Sequence, residues 1–121
     1  MPKFDHERLI VYQRAIEFVA WSSPIIEALP KSLAVRSQFV RASTSLVLNL
    51  AEGNGKHTAA DRCRFFYISR GSALESAACL DVLVVKKLIG DGQVMEGKAM
   101  LVDIVSMIVG LIRANSESRS V

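Results

Sequence analysis

A chain of 121 residues, 50% of them apolar but only 7% aromatic, is enough for one domain built on Leu, Val, Ile and Ala and too short for two. Its net charge of +3 permits contact with polyanions without demanding it. Three prolines and seven glycines supply few turn signals, which excludes a many-stranded β-protein and predicts an all-α chain.

The first predicted helix runs from about Glu7 to Leu29. Leu9, Tyr12, Ile16, Val19, Ala20 and Ser23 form one stripe at helical spacing, and Val11, Phe18, Trp21 and Ile25 form another on nearly the opposite side. Pro24 removes a backbone donor and is expected to bend the helix. Leu29-Pro30-Lys31-Ser32 makes the turn, with Ser32 as N-cap of a second helix from about Leu33 to Glu52. Gly53 suits a left-handed C-cap there. Thr58 caps a third helix over about Ala59 to Ile89, and Asp61 suits its positive end. Gly90-Asp91-Gly92 breaks the chain before a fourth helix that reaches about Asn115, and residues 116–121 are expected to fray.

Four helices with short connections predict an antiparallel up-down-up-down four-helix bundle occupying the whole chain as one domain. The two stripes of helix one, and a broad apolar face on helix four (Val94, Leu101, Val105, Ile108 and Ile112, widened by Met100, Ile104, Met107, Leu111, Val102 and Val109), exceed what a monomer buries. That surplus predicts a homo-oligomer. Cys63 and Cys79 lie about 24 Å apart on one helix, too far to pair. Two reduced cysteines, a polar N-terminus and no apolar run of membrane length (Asp103 interrupts the best candidate) predict a cytoplasmic protein without membrane contact.

Two polar clusters interrupt the apolar helices: Ser45, Asn49, Glu52 and Gly53 on the second, and Gly71, Ser72 and Glu75 on the third. Polar groups in an apolar seam need partners. A hairpin centred on Lys56 sets Arg41 opposite Gly71 and Ser72, and Glu75 near Gln38. Gly71 would then allow close approach, with Ser72 and Glu75 bonded to Arg41 or Gln38. The seam reads as a device that fixes hairpin register, as a buried Asn does in coiled coils. A carboxylate site made from Glu52 and Glu75 is the alternative, and their separation along the hairpin disfavours it.

Catalytic constellations are missing their parts. Gly53-Asn-Gly55-Lys56-His57-Thr58 superficially matches a phosphate loop, but Leu50 and His57 stand where Gly and Ser or Thr are required, and a helix precedes it. No Cys-x-x-Cys, no His pair and no Glu-x-x-His suggests a metal, and no cofactor motif occurs. Neither Ser45 nor Ser72 sits on a nucleophile elbow that could use His57. Leu50, Ala51 and Glu52 occupy the positions where a helical-bundle ribonuclease of Arg-then-His type would carry its arginine. The chain is therefore not expected to be an enzyme. From Lys31 to Arg70 the basic residues Lys31, Arg36, Arg41, Lys56, Arg62, Arg64 and Arg70 face only Glu52 and Asp61. Such a stretch is either a solvated face or a surface for polyanions.

Phe4-Asp5 with Val11-Tyr12-Gln13-x-Ala15 resembles the opening of the bacterial four-helix-bundle family of 23S rRNA intervening-sequence proteins. Gln38-Phe-Val-Arg41-Ala42-Ser43-x-Ser45 with Asn49-Leu-Ala-Glu52-Gly53 resembles its central signature. Phe65-Phe66 with Arg70-Gly71-Ser72-Ala-x-Glu75 resembles its third-helix motif. Leu46 and Leu50 stand where Ile is common, and Arg70 where a small residue is frequent. The resemblance covers nearly the whole chain and implies an antiparallel bundle that often assembles as a homopentamer. It also extends to the accessory protein of diversity-generating retroelements, a basic pentamer that engages nucleic acid and a reverse transcriptase. Together these readings predict a non-enzymatic oligomer that binds RNA or DNA through Arg36, Lys56, His57, Arg62 and Arg64. The competing expectation is a scaffold that binds only a partner protein.

Overall fold

The structure, a computed structural model, describes residues 3–120, with side chains through Ser116. A 3₁₀ turn over Asp5–Arg8 leads into α1 (Ile10–Glu27), α2 (Ala34–Asn54), α3 (Ala59–Val85) and α4 (Asp91–Ser120). These form an antiparallel four-helix bundle. α2 packs along α3 and α3 along α4, while α1 closes the ring against α2 and α4, leaving α1 diagonal to α3. No helix among the described residues is long and apolar enough to cross a membrane.

Each helix buries one stripe. On α1 it is Val11, Ala15, Phe18, Ser22 and Ile25, so the second of the two predicted stripes is the core. Of the first, Tyr12 and Val19 are half-buried while Ile16, Ala20 and Ser23 face solvent. Phe18, Phe39 and Phe66 are completely buried, with the Phe18 and Phe39 rings 6.2 Å apart. On α3 the stripe reads Phe66, Ser69, Ala73, Ser76, Leu80 and Leu83, with small residues in its middle. On α4 Val102 stays 67% exposed. Three of the four buried serines among the described residues are satisfied within their own helix: Ser22 donates to Val19 O, Ser43 to Phe39 O and Ser76 to Ser72 O.

The element ends differ from the sequence expectations for local reasons. Glu7 does not open α1. Its carboxylate accepts the Phe4 N–H at 2.9 Å and its own N–H donates to Phe4 O, closing a separate turn, and extended Leu9 follows. Pro24 lies within α1, which continues to Glu27. Ser32 is not the N-cap of α2. Leu33 is, in extended conformation and without a side-chain cap bond. Gly53 is not a left-handed cap either: no glycine has positive φ, and α2 runs past it to Asn54. Thr58 does cap α3, its hydroxyl accepting from the Asp61 N–H at 3.1 Å. The expected fraying of residues 116–121 falls mostly on side chains outside the described residues, and the α4 backbone is helical to Ser120.

The break between α3 and α4 comes earlier than the glycines. Leu88 N–H donates to Leu83 O at 2.9 Å and Lys87 N–H to Val84 O at 3.0 Å, a Schellman closure with Lys87 at φ 62°. Gly90 instead precedes α4, its N–H donating to Gln93 Oε1, and Asp91 and Gly92 lie inside the helix. A lysine in the left-handed region is strained by about 1 kcal/mol. Lys87→Gly is therefore expected to raise stability by about 0.5–1 kcal/mol, read as a higher urea midpoint at unchanged slope.

Candidate nucleic-acid interface

The turn from α2 to α3 gathers three of the five residues expected to contact phosphate. Lys56 Nζ sits 5.1 Å from the centroid of the Phe65 ring and Arg64 Cζ sits 4.7 Å from it. His57 is exposed on the connecting loop. Both cations have acidic neighbours at loose distances: Glu52 lies 3.7 Å from Lys56 and Asp61 lies 4.0 Å from Arg64. Exposed pairs of this kind contribute little and yield readily to a stronger anion. The cluster is thus two loosely paired cations on one aromatic ring, with the exposed His57 next to Lys56 in the chain. Phe65, noticed in sequence only as part of the family resemblance, organises it.

The other two arginines are committed inside the molecule. Arg36 donates from Nε to Ile26 O at 3.1 Å, holding a carbonyl in the last turn of α1. It lies at the opposite end of α2 from Lys56, about 30 Å away at 1.5 Å per residue. Arg62 joins three segments. Its Nη1 donates to Asn54 O at 2.9 Å and its Nε to Asn115 Oδ1 at 3.0 Å, with longer contacts to Lys56 O and Asn54 Oδ1. Its guanidinium also lies over the Phe66 ring. Asn54 in turn donates to Asp5 Oδ2 at 2.8 Å, tying the N-terminal turn to the same knot.

The polar seam holds the α2–α3 register, about one helical turn from the expected place. Ser72 meets Ser45, not Arg41: its hydroxyl donates to Ser45 Oγ at 2.8 Å. Asn49 Nδ2 donates to Ser45 Oγ and Ser45 O, each at 2.9 Å. Ser69, which the sequence did not single out, donates across the interface to Leu46 O at 2.7 Å from a fully buried position. Its signal was its place in the Phe66–Ala73–Leu80 core stripe. Gln38, Arg41, Glu52 and Glu75 are all exposed, so they are flanks of the seam and not its partners. Gly71 is exposed as well, and a Cβ there would touch nothing within 4 Å, so it does not mediate close approach. Gly53 does: a Cβ would stand 2.8 Å from Phe66 Cε1 and 3.1 Å from Phe65 Cβ.

The two cysteines are free and buried. Burial pushes the Cys79 thiol up, Glu75 adds to this and Arg41 opposes it, so the thiol stays protonated at neutral pH. Among the described residues no three His, Cys, Asp or Glu side chains cluster at metal-binding distance.

No curated protein matches the chain. Among solved structures it is similar to a protein of unknown function from the S23 ribosomal protein family of Bacteroides thetaiotaomicron VPI-5482, at 21% identity and a TM-score of 0.80, over 85% of this chain and 98% of that one. At that identity the likeness speaks for the fold, a helical bundle matched over almost its full length. The model of the 23S rRNA-intervening sequence proteins matches residues 7–110, and the polar seam and the Gly53–Phe66 contact lie within that span, so the chain belongs to this family.

Proposed function

We propose that the chain is a non-enzymatic cytoplasmic bundle that binds RNA or DNA through phosphate contacts at the α2–α3 turn. The observation that carries this reading is the Lys56–Phe65–Arg64 cluster with exposed His57 beside it. Cations held by weak pairs exchange a carboxylate for a phosphate at small cost, and an aromatic ring among them suits an unstacked base. Arg36 and Arg62 drop out of the contact set. The free cysteines accord with a reducing compartment. Fluorescence anisotropy with a labelled single strand over a salt series tests it. Affinity should fall steeply as salt rises, and Lys56→Ala with Arg64→Ala should flatten the slope by about 0.7 per lost contact. No binding at low salt would overturn the reading.

A second reading, self-association or docking of a partner protein, rests on a separate observation. Arg70 Nε is buried without a hydrogen-bond partner. Arg70 lines a pocket between α3 and α4 together with Tyr67, Val109 and Ile112, and a second pocket between the same two helices is lined by Leu74, Val102 and Val105 among others. A guanidinium whose Nε is shielded from water and unpaired gains from an incoming carboxylate. The homo-oligomer predicted from sequence, a pentamer by family resemblance, would use this face. Light scattering should then show assembly at micromolar concentration that Arg70→Glu disperses to single chains.

A further inference from the structure

We infer that the cleft beside the cationic cluster is a nucleobase subsite that favours guanine. This inference rests on the nucleic-acid reading and adds what that site would recognise. The cleft, of about 530 Å³, is lined by His6, Leu48, Asn49, Ala51, Glu52 and Phe65. Part of its wall is apolar and aromatic: Leu48 is 61% exposed and Phe65 is half-buried. His6 is held in place by Phe4, stacked at 5.9 Å, and by Tyr12, edge-on at 4.8 Å. A flat heteroaromatic ring fits such walls, because every base offers a π-face to them.

The polar groups select among the bases. Asn49 Nδ2 donates to Ser45 O, a carbonyl that can only accept, so the amide nitrogen faces Ser45 and Oδ1 faces away from it. Glu52, three residues on along the same helix face, adds a carboxylate that is 58% exposed. Asn49 Oδ1 and Glu52 are both acceptors. Lys56, 3.7 Å from Glu52 and outside the lining, would neutralise a phosphate of the same nucleotide. A base that answers the Glu52 carboxylate in bidentate fashion must carry two donors side by side on one edge. Guanine does, with N1–H and N2–H₂ side by side, which a carboxylate receives in bidentate fashion. Adenine and cytosine set an unprotonated ring nitrogen beside their amino group, and uracil sets carbonyls beside its N–H, so each would face a carboxylate with a lone pair.

The test is anisotropy with single-stranded oligouridylates of about ten nucleotides, with or without one central guanine, and with adenine at that place as control. The guanine strand should bind about tenfold more tightly than the other two. Glu52→Gln should abolish that ratio while the all-uridine strand still binds with an unchanged salt slope, since the phosphate contacts remain. Equal, salt-dependent binding of all three strands by the unaltered protein would overturn the subsite and leave the phosphate reading standing. Binding of none at low salt would overturn both.

Discussion

Gly53→Ala is expected to cost about 2 kcal/mol of folding stability, a loss of about 5–10 °C in melting temperature. In most helix interiors the same change gains about 1 kcal/mol, because alanine restricts the unfolded chain and favours the helix. Here the added methyl would stand 2.8 and 2.9 Å from two atoms of the Phe66 ring and 3.1 Å from Phe65 Cβ. Phe66 is completely buried, so its ring has nowhere to swing, and Phe65 Cβ moves only with the α3 backbone. Overpacking of this kind costs up to about 3 kcal/mol, which exceeds the propensity gain. Gly71→Ala supplies the internal comparison. It lies on an exposed face of α3 with nothing near its missing Cβ, and should be stabilising by somewhat under 1 kcal/mol. Thermal unfolding of the two variants side by side checks the opposite signs. A Gly53 variant as stable as the parent would mean that α2 and α3 can separate at this point freely.

These two glycines also show how far the sequence could be read. Both stand in motifs that mark the family, and their sequence context suggests a close approach at Gly71 and a cap at Gly53, yet a glycine near a helix end looks the same whether a turn needs it or a neighbouring ring does. The four helices were legible because their apolar residues recur at three- and four-residue spacing, and the Thr58 cap was legible because its partner, Asp61 N–H, is local. The hairpin register was not. It is decided by side-chain size along facing stripes, where the small, buried Ser69 lies against α2 and bonds Leu46 O, and counting outward from the loop misplaces it by a turn. The same limit applies to charge. Arg36 and Arg62 look like Arg64 in the sequence, but their acceptors are a carbonyl on another helix and a knot of distant atoms, and neither leaves a local pattern.

Arg62→Ala is expected to destabilise the bundle by about 2–3 kcal/mol and to leave the salt dependence of the proposed nucleic-acid binding unchanged. The guanidinium is the common partner of α2's last carbonyl at Asn54 and of Asn115 on α4, with the Phe66 ring beneath it. Each charge-assisted bond contributes about 1.5–3 kcal/mol at most, and water reaches this half-buried site, so the sum falls short of the full value of two bonds. Arg62→Lys should recover less than half of the loss, because an ammonium cannot span the two acceptors that the planar fork reaches together. Binding separates position from charge. Lys56 and Arg64 lie on the outside of the turn and should each lower the salt slope when removed, whereas Arg62 supports the turn from within. Measured below its melting transition, the Arg62→Ala protein should therefore titrate with the slope of the parent. A slope reduced as much as that of Arg64→Ala would return Arg62 to the contact surface and show that its bonds to Asn54 and Asn115 open when a polyanion arrives.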